Sequence, residues 1–190
     1  TVLSSLAVAG GIAVVAPAES GAATSGWTVA TVPGTGADDV LLGTTCANAL
    51  ECWAVGISIG NISGNSTFTP LIEQWNGTTW ALGAELPLPP GDGGGIFTVA
   101  GGSGSDCWGV GTELTESGGD GNPTGTLIEH WDGTSWSIVD RPNAYPKHNA
   151  LYAVTALSAD DRHAVGGATG QHKGRTMTAH WAGTSWSLGG

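Results

Sequence analysis

From about residue 38 onward the chain runs in short apolar, β-branched stretches broken by Gly, Asn, Asp and Ser, and it shows no 3.6-residue apolar period. The pattern predicts four strands in each of three successive segments. The first strand covers 41–46, 96–100 and 151–156. A small polar turn (47–51, 101–106, 157–161) leads into the second. That strand carries Cys52-Trp53-Ala54-Val55-Gly56, then Cys107-Trp108-Gly109-Val110-Gly111, then Arg162-His163-Ala164-Val165-Gly166. The third is Leu71-Ile72-Glu73-Gln74-Trp75, with Leu127-Ile128-Glu129-His130-Trp131 and Met177-Thr178-Ala179-His180-Trp181 as counterparts. Asn76-Gly77 and Asp132-Gly133 predict tight hairpins, because Gly and Asn accept positive φ. A fourth strand then opens at Trp80, Trp136 or Trp186.

The second-strand block recurs at intervals of 55 residues (52 to 107, 107 to 162), so the segments are copies of one unit. A four-stranded unit of about 50 residues is the size of a propeller blade. The expected fold is all-β: a partial β-propeller of three four-stranded antiparallel blades, at about 38–87, 95–142 and 148–190. One extra outer strand is expected at 26–33, where Trp27-Thr28-Val29 resembles the opening of a fourth strand. Nine Trp against two Phe and two Tyr suit this architecture, since neighbouring blades cover both faces of each sheet and bulky side chains must fill both. Complete propellers have roughly four to eight blades. Ring closure therefore calls for further blades of the same chain or a second copy.

Charge narrows the partners. The net charge is −11, and residues 1–140 hold fourteen Asp or Glu without a Lys or Arg. Such a surface repels a phosphate backbone, which excludes nucleic acid as the expected partner. Val2 to Ala16 is a small, apolar run too short to span a bilayer at ~20 residues. Ala16-Pro17-Ala18 follows as a cleavage pattern, so 1–23 reads as a remnant of a secretory signal peptide and the protein as secreted and extracellular. Cys46 and Cys52 are placed to close a hairpin disulfide in an oxidising compartment. Cys107 has no internal partner, because Gly101 stands at the position matching Cys46.

The pattern W-[ND]-G-T-[ST]-W, preceded by C-W-A-V-G, resembles the repeat of secreted bacterial β-propellers, loosely grouped with the kelch and galactose-oxidase central-domain propellers, over about 25–190. The resemblance implies a fold, and propellers host many activities. The hairpin Asp132-Gly133-Thr134-Ser135-Trp136 is also similar to the Asp box of sialidase-type propellers, although it is one residue shorter and Ala182 replaces the Asp in the third copy.

Candidate chemistry is sparse. Glu73 and Glu129 repeat, with Ala179 in the third copy, and a repeated carboxylate is read as architectural rather than as half of an inverting glycosidase pair. His130 and His180 repeat with Gln74, which is a poor substitute for a ligating imidazole, so they read as satisfied inter-blade side chains. Arg162 stands where Cys52 and Cys107 stand and reads as structural. The Gly-rich runs 91–95 and 101–104 precede strands or turns and do not cradle phosphate. No catalytic centre, cofactor or metal centre is expected.

The connections are more informative. Those between second and third strands (57–69, 112–125, 167–175) and from each fourth strand to the next unit (34–37, 88–94, 143–149) differ among the copies and share one end of the blades. Variable loops over a rigid frame are where binding chemistry sits. The candidate ligand-binding residues there are Glu113, Glu116, Asp120, Lys147, His148, His172, Lys173 and Arg175. The function expected is a non-catalytic secreted module binding an extracellular protein or glycan through this face. The alternatives are a fragment of a secreted carbohydrate-active enzyme (glycosidase or sialidase-like) and a structural repeat region of an envelope protein.

Overall fold

A computed structural model describes residues 30–35, 38–62, 65–83, 88–89, 92–115, 125–144, 148–169 and 174–189. The chain divides into two units, 1–30 and 31–190, and of the first only Ala30 is described, so the expected signal segment lies outside the described residues. Of the outer strand expected at 26–33, residues 26–29 also lie outside, and 30–33 belong to no strand.

The second unit is all-β among its described residues. Its strands are β1 (Asp38–Asn48), β2 (Glu51–Ile62), β3 (Asn65–Trp75) and β4 (Trp80–Leu82); β5 (Gly93–Ser103), β6 (Asp106–Leu114), β7 (Gly125–Trp131) and β8 (Trp136–Ile138); and β9 (Asn149–Ser158), β10 (Asp161–Thr169), β11 (Gly174–Trp181) and β12 (Trp186–Leu188). They form three antiparallel sheets in simple order, β1 to β4, β5 to β8 and β9 to β12. The first strands of the sheets pack side by side, β5 against β1 and β9 against β5, while the three-residue fourth strands lie at the opposite edges. This is the radial arrangement of a partial propeller, with β1, β5 and β9 innermost.

The strands outrun their sequence signals. The glycines at 93–95, expected ahead of a strand, lie inside β5, where Gly94 pairs with Glu113 and Gly95 with Thr112. A side chain at Gly95 would strike Ile57 of the first sheet, so glycine lets the second sheet come close. The repeated Gly of the Val-Gly block has its own cause. β1 and β5 each bulge opposite it, between Leu41 and Gly43 and between Ile96 and Thr98, and β9 shifts register beside Gly166. A Cβ at Gly56, Gly111 or Gly166 would collide with the bulged strand's carbonyl oxygen, from Val40, Gly95 or Ala150.

Sheets are joined by tryptophan. Trp53 on β2 packs against Trp131 and Trp136 of the second sheet, with ring centroids 4.7 and 5.3 Å away. Trp108 on β6 meets Trp181 and Trp186 of the third at 4.7 and 5.7 Å. Val55, Ile72, Ile96, Val99, Cys107 and Leu127 fill the first interface, and Val110, Ile128, Leu151, Ala164, Met177 and Ala179 fill the second. Each tilted or edge-on aromatic pair contributes about 0.5–1.5 kcal/mol beyond its buried area. The Trp repeat is therefore a wedge-and-pair contact passed from sheet to sheet.

Candidate functional site

The two ends of the sheets are built differently. At one end, two-residue turns (49–50, 104–105, 159–160) join the first and second strands of every sheet. The indole N–H of Trp75, Trp131 and Trp181 donates to the turn carbonyls of Ala49, Gly104 and Ala159 at 3.1, 2.8 and 3.3 Å. The hairpins beside them have Gly77, Gly133 and Gly183 at φ 93, 98 and 84°, the left-handed region that glycine enters without strain. Asn76 Oδ1 accepts from the Thr78 and Thr79 backbone at 3.0 Å each, and Asp132 Oδ1 from Thr134 and Ser135 at 2.8 and 2.9 Å. The Thr134 hydroxyl, then these backbone donors, hold the Asp132 carboxyl down at about 2. The third hairpin has Ala182 and keeps only the backbone bond to Ser185.

Arg162 belongs to this uniform end and is 2% exposed. Its guanidinium donates to the Ala159 carbonyl and to Asp106 of the second sheet, and lies 5.1 Å from the Trp108 ring centroid. It clamps sheets two and three together, the structural role expected for it. Cys46 and Cys52 form the expected disulfide across β1 and β2. Cys107 is buried, and desolvation pushes its thiol up to about 11, so it behaves as a small apolar core residue.

The other end is variable, but less loop-like than the sequence suggests. The connection expected at 57–69 is mostly a two-stranded ribbon, paired from Ile57 with Pro70 out to Ile62 with Asn65. Glu116, Asp120, Lys147, His172 and Lys173 lie outside the described residues. Glu113, expected on a loop, sits on β6 opposite Gly125, is 8% exposed, and accepts from the guanidinium of Arg141. Arg175, also expected on a loop, is an exposed residue of β11 opposite Ala168. His148 immediately precedes β9 and adopts φ 60°, and its carbonyl accepts from Thr169 N at 2.9 Å. A left-handed backbone costs a non-glycine residue about 1–2 kcal/mol. His148 and Arg175 share the same end of the third sheet, on neighbouring register rows. Glu113 is brought instead to Arg141.

Around that ion pair the connection from sheet two to sheet three is latched. Asn143 Oδ1 accepts from Thr126 N at 2.9 Å, and Asn149 Oδ1 from Ala144 N at 3.0 Å. The Thr112 hydroxyl reaches the carbonyls of Asn149 and Gly125 at 3.1 Å each. Sequence reasoning missed this latch. Its signal was Arg141-Pro142-Asn143, the first positive charge of the chain, falling where one repeat gives way to the next.

Glu73 and Glu129 are 1% and 0% exposed. Burial pushes both carboxyls up, Glu129 well above the ordinary 4.5, and Asp39 adds to the effect at Glu73. Their burial places them out of reach of a polysaccharide.

Neither a family model nor a curated protein matches the sequence. Among solved structures the chain is similar to YCF48 bound to D1 peptide, a β-propeller, at 15% identity and a TM-score of 0.53, over 83% of this chain and 40% of that one. The chain thus spans less than half the length of that structure. With three radially stacked four-stranded sheets, the likeness makes this chain part of a β-propeller in architecture.

Proposed function

We propose that the chain is a non-catalytic, secreted propeller module that holds a protein segment on its variable end. The observation that carries this reading is the difference between the two ends: one repeats the same turns and indole hydrogen bonds three times, while the other sets connections of different lengths on a frame latched by Arg141, Asn143 and Asn149. Binding chemistry commonly sits on variable connections held by a rigid frame of this kind. Lys147, Lys173 and Arg175 all fall in or beside the third repeat of an otherwise acidic sequence, which favours a segment bearing carboxylates. In sequence, His148 and His172 belong with these residues and add hydrogen-bonding capacity, and Glu116 and Asp120 belong to the second repeat. That the similar propeller is one bound to a peptide favours a protein segment over a glycan. The Cys46–Cys52 disulfide suits an oxidising compartment, in keeping with export, and further blades or a second copy would complete the ring.

The test is to probe the full chain on acidic-peptide and glycan arrays. Peptide retention without product release is expected, weakened about tenfold or more by Lys173→Ala with Arg175→Ala. Binding unchanged by those substitutions overturns the reading. Glycan retention with release of sugar replaces it by the carbohydrate-active alternative.

A further inference from the structure

Three ligand-type side chains meet on the face of the third sheet that no other described sheet covers. Asp161 opens β10, His163 lies two residues along the same strand, and His180 is the cross-strand partner of His163 on β11. A spacing of two along a strand and direct pairing across it put all three on one face. His163 Nε2 and His180 Nε2 approach the same Asp161 oxygen at 3.1 and 2.9 Å, and the two rings stack with centroids 4.6 Å apart. The ligand atoms all fall within 4.8 Å of one another. The side chains of Asp161, His163 and His180 keep 45%, 49% and 41% of their exposure, so an ion can enter from solvent.

The other repeats supply an internal control. At the same positions the second sheet has Asp106, Trp108 and His130, and the first has Glu51, Trp53 and Gln74. In the second sheet the Trp108 indole N–H donates to Asp106 Oδ1 at 2.9 Å, His130 approaches the same oxygen at 3.0 Å, and Arg162 takes the other oxygen. An indole N–H only donates, and the arginine already neutralises the carboxylate, so that site is closed to a cation. In the third sheet the indole is replaced by a second imidazole, which offers a lone pair once its proton moves to the other ring nitrogen. Among the described residues, the two imidazoles are the groups paired with Asp161. Two imidazoles and one carboxylate are a donor set for borderline divalent ions, which take nitrogen and oxygen ligands at about 2.0–2.2 Å and keep a position for water. Small rotations of the half-exposed rings bring the nitrogens to that distance.

We propose that Asp161, His163 and His180 form a divalent transition-metal site on the outward face of the third sheet. The test is calorimetric titration of the full chain with Zn²⁺, together with the electron paramagnetic resonance spectrum of the Cu²⁺-loaded protein. A saturable Zn²⁺ site is expected, weakened about tenfold or more by His163→Gln and by His180→Gln, the residue that Gln74 represents in the first sheet. His130→Gln, at the closed counterpart, leaves uptake unchanged. The Cu²⁺ spectrum shows two imidazole nitrogens in the native chain and one in each variant. No saturable uptake, or equal uptake by the variants, overturns the proposal. Should a variant fail to fold, a native Cu²⁺ spectrum lacking two imidazole nitrogens does so by itself.

Discussion

Glu129 lies on β7 at the interface between the first two sheets and is fully buried, and neither carboxyl oxygen has a hydrogen-bond partner. Nothing around it stabilises the anion, and burial alone raises its pKa well above 4.5. The folded protein therefore keeps a proton that the unfolded chain releases at about the ordinary glutamate value of ~4.3. Below that value Glu129 is neutral in both states and imposes no penalty. Above it the folded state binds one more proton than the unfolded state, so stability falls as pH rises, by up to about 1.4 kcal/mol per pH unit, until the folded pKa is passed. Glu129→Gln has nearly the same shape and no proton to lose. Urea unfolding followed by tryptophan fluorescence, run at intervals from about pH 5 to about pH 8, gives both curves. The difference between variant and native stability should widen in favour of the variant as pH rises, at up to about 1.4 kcal/mol per unit. Subtracting the curves removes the groups common to both. A difference constant with pH would show that the carboxyl finds a partner or water in the folded state, and would refute the reasoning.

Arg162→Ala removes a charge-assisted bond and leaves Asp106 with the Trp108 indole and the His130 imidazole. A loss of about 1.5–3 kcal/mol is expected in urea unfolding, since Asp106 is partly exposed and water recovers some of it. Gly111→Ala should destabilise by about 1–3 kcal/mol because its Cβ meets the β5 carbonyl, whereas Gly174→Ala, with open space around it, should be neutral or slightly stabilising. Thermal melts of the two variants compare them directly, and equal effects would remove the bulge explanation. Replacing Cys46 and Cys52 by Ser should cost about 2 kcal/mol of stability in urea unfolding, the loop-closure entropy expected for so short a ring with its sequence separation of 6.

What the sequence made legible was whatever repeats. The four strands of each unit, the hairpins at Gly77 and Gly133 and the disulfide could all be read, because each depends on local turn chemistry or on a position repeated in register. Strand ends were hidden, since a Gly run or a Ser- and Asn-rich stretch reads as a break unless its partner is known. The ribbon beyond Ile57 has a faint signal in alternating Ile57 and Ile59, opposite Pro70 and Phe68 respectively, and its pairing becomes evident only when both arms are seen together. The Arg141–Glu113 pair joins residues 28 positions apart, with no spacing rule to predict it. For the same reason the sequence reads Glu113 as a loop residue available to a ligand, whereas it lies on β6 against Arg141. The Asp161, His163 and His180 cluster is hidden in the third-strand repeat, where His180 aligns with Gln74 and His130 and reads as one repeated position. The telling change was on the second strand, where His163 replaces the tryptophan.

The wedge-and-pair contact between sheets has a direction. One sheet supplies the indole from its second strand and the next receives it between indoles of its third and fourth, so the two surfaces in contact are never the same surface. A joint of that kind does not exhaust itself: each added sheet offers a fresh wedge, and growth stops only when a ring closes or the wedge is withdrawn. With His163 the third sheet presents a polar, half-wet imidazole where its predecessors present an indole. The grip that fastens one sheet to its neighbour is not offered again there in the same chemistry. This single replacement changes the chemistry of the face that a further sheet or a second copy of the chain would meet.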